Sequence, residues 1–213
     1  MNETTTITRQ AGEHTLRATA AAQFSQMVED ILDVLEGQQA NLRDGYVLQF
    51  GWGPIFLEAE DDALRLRTPD YSRDAANDRT EDLSGAIAIQ VSQMWLPRAA
   101  NVRPMGLRFD QEILIQRGWR ERTDFEASRR ISKHEIFSGW FICDTTDRGE
   151  PYPHDEIEKV EAWEVVQHRP ELSQVLALPA DTLTILLDRE IYRVIKLDGE
   201  DDNELLYENT DEA

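Results

Sequence analysis

The sequence predicts an α+β fold, a largely antiparallel sheet with helices packed on one face and a subdivision into two similar lobes. Three observations carry that expectation. Short β-branched and aromatic runs meet across tight turns, at Asp61-Asp62 and at Asp188-Arg189-Glu190, which pairs neighbouring strands as hairpins. Two longer stretches repeat apolar residues every three or four positions with a polar opposite side. Between Phe137 and Ile195 a helical stretch is flanked by three candidate strands, so a helix can lie across them and exclude water from one sheet face.

Residues 1–17 carry no periodicity and are expected to be a mobile lead-in. Phe24, Met27, Val28, Ile31, Leu32, Val34 and Leu35 form the apolar stripe of a helix that ends near Gly37. Tyr46–Glu60 reads as one strand bent by a bulge around Gly51 and Gly53. Asp61-Asp62 turns it into Leu64-Arg65-Leu66-Arg67, which Thr68-Pro69-Asp70-Tyr71 stops. Trp52, between two glycines, fits a ligand platform or, as is more usual, the corner of a core. Ser72–Thr80 is a polar surface loop. Asp82 then caps a helix with Leu83, Ile87, Val91, Met94 and Trp95 on one stripe, ended or kinked by Pro97.

Asn101–Arg108 is a connector and Ile113-Leu114-Ile115 a strand. After it, Arg117, Arg120, Arg122, Arg129 and Arg130 interleave with Glu121, Asp124 and Glu126, a pattern of ion pairs on a solvated face. Ser138-Gly139-Trp140-Phe141-Ile142-Cys143 is a buried strand with a turn at Asp144–Asp147. A loop over Arg148–Asp155 precedes a helix carrying Ile157, Val160, Trp163 and Gln167. Pro170 opens a second short helix that turns Leu172, Val175 and Leu176 inward. Thr182–Leu187 and Ile191–Ile195 resume as strands after Pro179. The expected organisation is one domain over 18–197, loosely 18–133 and 134–197, followed by an acidic tail at 198–213 for which disorder is the default.

Forty-two Asp and Glu against 22 Lys and Arg give a net charge of −20. Phosphate binding needs a basic surface, so direct nucleic-acid binding is not expected. Eight of the acids lie beyond Leu197 with no Lys or Arg among them, and the body before them is still acidic. Such charge serves solubility, or it steers a basic protein partner. The single Cys143 sits in an apolar run, which reads as a buried reduced thiol and a reducing compartment. With no leader-like start and no run of membrane-spanning length, the expected setting is the cytoplasm.

No constellation of catalytic type stands out. Gly51-Trp52-Gly53 lacks dinucleotide-loop spacing, and the four histidines are too far apart along the chain to complete a zinc site. Ser138-Gly139-Trp140 is not a nucleophile elbow. Glu58, Glu60, Asp61 and Asp62 could supply an acid and a base, yet acids this abundant cluster without any catalytic reason. The reading is a binding protein with no cofactor, no metal and no turnover.

Several motifs, taken with their order and spacing, resemble a known family. Gln49-Phe50-Gly51-Trp52, Thr68-Pro69-Asp70-Tyr71, the helix containing Gln90 and Gln93, Ser138-Gly139-Trp140-Phe141-Ile142, and Arg169-Pro170-Glu171-Leu172 with Ala177-Leu178-Pro179 are similar to the immunity protein 33 domain family of bacterial polymorphic toxin systems, also described as a domain of unknown function. The stronger similarity runs from Ser138 to Ile195 and a looser one from Gly45 to Gln93. The resemblance implies stoichiometric inhibition of a cognate toxin, encoded next door and often delivered by contact-dependent or type VI secretion. An acidic inhibitor suits a basic toxin, a nuclease being the expected kind. On that implication the candidate partner-binding residues are Glu58, Glu60, Asp61, Asp62, Asp74, Asp78, Glu81 and Asp82, whose carboxylates would stand in for substrate phosphates beside an apolar anchor. The alternative is an acidic regulatory or scaffolding protein, or a phosphate mimic acting on another basic protein.

Overall fold

The computed structural model describes residues 3–146, 151–197 and 203–210. The chain divides into two compact units, residues 1–91 and 92–213, so the division falls inside a helix and not at the 133/134 boundary expected from sequence. Each unit is built on its own mixed, mostly antiparallel sheet, and the class is α+β as the hairpin turns and amphipathic stripes predict.

In the first unit, β1 (Thr4–Ala11) and β2 (His14–Ala21) form a hairpin where a mobile lead-in was expected. Thr4-Thr5-Thr6-Ile7-Thr8 is β-branched throughout, which suits a half-exposed pleated surface even though its polarity hides the alternation. The helix α1 (Ser25–Glu36) buries Val28, Ile31, Leu32 and Leu35 and stops at Gly37, while Val34 stays exposed. Strands β3 (Val47–Phe50) and β4 (Gly53–Glu60) replace the single bent strand. Phe50 pairs with Gly53, so Gly51-Trp52 is a two-residue hairpin turn with the glycine, at φ +56°, in its first position. Trp52 is buried with its ring centroid 5.1 Å from that of Tyr71, which makes it a core corner.

β5 (Ala63–Pro69) returns across Asp61-Asp62, and the two-residue β6 (Arg79–Thr80) lies beside its end. The sheet order is β1-β2-β5-β4-β3, with β2 parallel to β5 and every other pair antiparallel. Leu16, Ala18, Ile55, Leu57, Leu64 and Leu66 share one cluster with the buried stripe of α1. The helix α2 (Ser84–Ala99) runs through the 91/92 division. Leu83 and Ile87 are buried as expected, but Val91, Met94 and Trp95 are exposed, with Gln93 and Leu96 inside instead. Two stripes of helical spacing leave Ile87, and the buried one passes through a glutamine, so hydrophobicity alone points to the wrong side.

The second unit holds β7 (Glu112–Gln116), β8 (Phe125–Arg129), β9 (Phe137–Cys143) and β10 (Ile157–Glu161), then α3 (Ala162–His168), β11 (Thr182–Leu187), β12 (Glu190–Lys196) and β13 (Glu204–Glu208). Its seven-stranded sheet runs β10-β7-β9-β8-β11-β12-β13, with only β7 and β9 parallel. β8 lies within the segment read as a solvated ion-paired face, and it buries Phe125, Ala127 and Arg129. Ile157–Glu161 pairs with β7 where a helix was expected. The i, i+3 pair Ile157 and Val160 fits a helix turn, but the open edge of β7 takes the segment as a strand, and helix begins only at Ala162. Pro170 opens a 3-10 turn with Leu172, Val175 and Leu176 buried. Of the expected acidic tail, 198–202 and 211–213 lie outside the described residues, whereas Glu204–Glu208 pairs with β12.

The β11–β12 turn contains two left-handed residues that are not glycine, Asp188 at φ 50° and Arg189 at φ 69°. A turn of this kind favours glycine at its second position, because a β-carbon there crowds the following carbonyl. Arg189→Gly is expected to raise the unfolding free energy by roughly 0.5–1 kcal/mol, seen as a higher urea midpoint at unchanged slope. A midpoint that stays put or falls would refute this account of the turn.

Candidate functional site

The eight acids proposed from sequence all belong to the first unit, and the structure gives most of them intramolecular work. Arg65 and Arg67 alternate with Leu64 and Leu66 on β5 and therefore point away from the leucine core. Beside them on β4, Glu58 sits directly opposite Arg65. Arg67 reaches Glu58 at 3.0 Å, Glu60 at 2.8 Å and Glu81 at 2.7 Å; Arg65 reaches Glu60 at 3.3 Å and Asp61 and Glu81 at 3.2 Å. Arg79 pairs with Glu58, and Arg17 with Asp62 at 3.3 Å. Partial burial opposes ionisation of Glu81, but hydrogen bonds from Arg67 and Arg65 outweigh it and hold its carboxyl below the ordinary range.

Four arginines thus face five of the proposed acids. The cluster is close to neutral. Two further acids hold backbone. Asp82 accepts from the amide and hydroxyl of Ser84 at the start of α2. Asp74 accepts from the side chain of Asn77 and from the amides of Ala76 and Asn77, the first of which does most to lower its pKa. Asp78 lends its backbone carbonyl to the Asp70 amide. The turn residues Asp61 and Asp62 keep most of their side chains in water, at 71% and 80% exposed, and Asp78 is an exposed residue as well. A hollow of about 360 Å³ lies on this face between Thr6, Thr8, Thr19, Arg17 and Arg65, with Glu81 at its side; both guanidiniums lining it are already engaged by acids.

In the second unit a buried guanidinium organises the interior. Arg129, 2% exposed, donates to the carbonyls of Met105, Gly106, Ser138, Leu176 and Leu178, tying β8 and β9 to the segments packed over them. Among the described residues no carboxylate pairs with it, and desolvation pulls its pKa down to about 10. The same carbonyl of Leu176 accepts from the indole of Trp140 at 3.2 Å. Gly139, at φ +83°, lets the strand pass the neighbouring chain: a β-carbon there would lie 1.9 Å from the backbone oxygen of Arg130. Arg169, also buried, donates to the carbonyl of Trp119 and lies 3.6 Å from Glu171. At the end of β9, Asp144 accepts from Tyr152 at 2.8 Å, Arg122 at 2.6 Å and the Thr146 amide at 3.2 Å. Desolvation opposes its charge, yet these bonds win and the carboxyl falls to about 2. Cys143 beside it is buried, and desolvation pushes the thiol up to about 11.

Among the described residues no group of three or more His, Cys, Asp and Glu is arranged to hold a metal ion, and no helix is long and apolar enough to cross a membrane. Residues 92–197 match an immunity protein family. This stretch is an Imm33-like domain. No curated protein and no solved structure matches the chain. The Imm33-like domain contains Ser138-Gly139-Trp140, Arg169-Pro170-Glu171 and Ala177-Leu178-Pro179, while Gln49-Phe50-Gly51-Trp52 and Thr68-Pro69-Asp70-Tyr71 lie before it. Its motif residues are structural. Trp140 and Arg169 are buried, Gly139 is a close-approach point, and the Leu176–Leu178 segment supplies carbonyls to Arg129.

Sequence reasoning missed Arg129 as a core residue because a charged side chain between Ser128 and Arg130 reads as surface. The available signal was the alternation Phe125, Ala127, Arg129 on one side of a strand. Arg129→Met, close in volume but without donors, should lower stability by about 3 kcal/mol or more, measured by urea unfolding; a loss below about 1 kcal/mol would show that the carbonyls find other donors. Asp144→Asn tests the acid limb. Because the folded pKa lies below the ordinary 3.8, its contribution is present above that pH and lost as pH falls towards 2. The substitution should remove on the order of 1–2 kcal/mol at pH 6 and nearly nothing at pH 2, so a pH-independent loss would contradict the assignment.

Proposed function

We propose that this protein neutralises a cognate bacterial toxin by stoichiometric binding, in the cytoplasm of the cell that makes both, and transforms no substrate itself. The observation that carries the reading is the Imm33-like domain over residues 92–197, since immunity families of this kind are typically non-catalytic inhibitors. The net charge of −20 supports a basic toxin, a nuclease being the natural candidate, because opposite charge raises the encounter rate. Delivery of that toxin by contact-dependent or type VI secretion belongs to the same proposal.

Within it, the eight acids of the first unit are the candidate contacts, with the exposed Asp61, Asp62 and Asp78 the most available. A phosphate mimic acting on unrelated basic proteins is the weaker reading. Its carboxylates would have to leave Arg65, Arg67, Arg79 and Arg17 before meeting a partner's cations.

Co-expression with the product of the adjacent gene tests the function. Growth should be restored and a one-to-one complex should co-purify. Raising salt from about 0.1 to 1 M shortens the screening length from about 10 to 3 Å, so association should slow while the complex persists. A neighbouring gene product that is harmless alone, or toxicity that this protein leaves untouched, would end the immunity reading.

A further inference from the structure

The two sheets leave very different faces open. On the first, the row Thr8, Arg17, Arg65, Glu58 crosses β1, β2, β5 and β4 in register, polar at every position. That is a face made for water. On the second, one row crosses the sheet from β7 to β13: Leu114, Phe141, Ser128, Leu183, Ile195 and Leu205 are successive register partners. Five of the six are apolar. They lie on the side opposite Ile113, Trp140, Ala127, Thr184 and Val194, which are buried; Leu114 is 36% exposed and Leu205 53%, while Phe141, beside the Tyr152 ring, Leu183 and Ile195 are half-buried. Ile185 and Leu187 extend the apolar character along β11. A monomer seldom leaves a contiguous apolar strip of this extent to solvent unless something binds it.

Size and charge indicate what binds. Seven strands at about 4.8 Å spacing make the face roughly 29 Å wide, which matches a standard protein contact of about 800 Å² per partner, a patch on the order of 30 Å across. Within its strands the face carries two cations, both already taken. Lys159 lies 3.4 Å from Glu112 and Arg193 2.6 Å from Glu208. With Glu126 and Glu161, four glutamates stand against these two cations around the apolar row. A second copy would bring another −20 against this acidic rim. We infer that the open face of the second unit's sheet, six of whose seven strands belong to the Imm33-like domain, is the toxin-docking surface, and that it receives an apolar patch of the toxin ringed by Lys and Arg. The inference rests on the immunity reading and adds the surface and the chemistry of its partner.

Leu114→Glu combined with Leu205→Glu places carboxylates in the row at two exposed positions, where the fold tolerates them. With the toxin encoded next door as the probe, the pair should weaken binding at least about 30-fold and abolish growth rescue, with the melting curve unchanged. Leu205→Ser, on an edge strand, is the gentler variant should the pair unfold, and it should weaken binding about threefold or more. Oxidative footprinting of the wild-type complex needs no variant and should protect Leu114, Phe141 and Leu183. If the wild type rescues growth and these side chains stay unprotected, or the folded pair binds as tightly as the wild type, the surface is wrong while the immunity reading stands. Light scattering that shows a wild-type dimer, dissolved by the pair with toxin affinity intact, would assign the face to a second copy and overturn the inference. Wild type that neither rescues nor binds removes the immunity reading and this docking assignment with it.

Discussion

A sheet of seven strands has two apolar-capable faces, and the second unit covers one of them. That constraint sets the rest of the unit. The covered face must be sealed by segments with little regular structure, the connector around Met105 and Gly106 and the turn-rich stretch through Leu178, whose carbonyls have no ladder to join. Buried carbonyls need donors, and water is excluded there. Arg129 meets that need from within a strand. One planar cation offers five N–H groups in a fixed fork, so a single side chain satisfies acceptors on several segments at once. Desolvation lowers its pKa to about 10, so the group remains protonated at neutral pH and keeps all its donors.

The parts of the fold legible in the sequence are those where local and long-range demands agree. Strand β11 begins and ends at the residues its alternation marks, and α1 stops at the glycine that its stripe runs into. The illegible parts are those where tertiary context decides. β1 carries Thr4, Thr6 and Thr8 on one face and Thr5, Ile7, Arg9 and Ala11 on the other, so a single large apolar residue is too little to announce a period. Ile157–Glu161 is short enough to read either way, and only the vacant edge of β7 makes it a strand. On α2 the buried stripe includes Gln93, which no apolar count would select.

Charge was the least legible property at the level of single residues. The count of acids is visible at once, but which of them are free is a matter of register. Glu58 opposite Arg65 follows from the Asp61-Asp62 turn and the alternation of β5, and both are readable in Leu64-Arg65-Leu66-Arg67. Glu81 joins them from a distant loop, which no local pattern reveals. Hence a cluster that looks like a bare acidic edge in the sequence is an ion-paired network in the fold.

An apolar face on a strongly acidic protein resolves a conflict that any dedicated inhibitor meets. It must present enough apolar surface to hold its target for long periods, yet must not adhere to itself or to other proteins before the target arrives. Hydrophobic burial is indifferent to identity, so selectivity has to come from elsewhere. A net charge of −20 repels other copies of the chain and the many acidic proteins around it, while lowering the barrier for a basic one. The pairing of Lys159 and Arg193 with glutamates sharpens this, since neither cation is left to attract an acidic competitor. Within the proposed complex the apolar row then supplies residence time and the surrounding charge supplies choice, and of the row only Phe141 lies within a family motif.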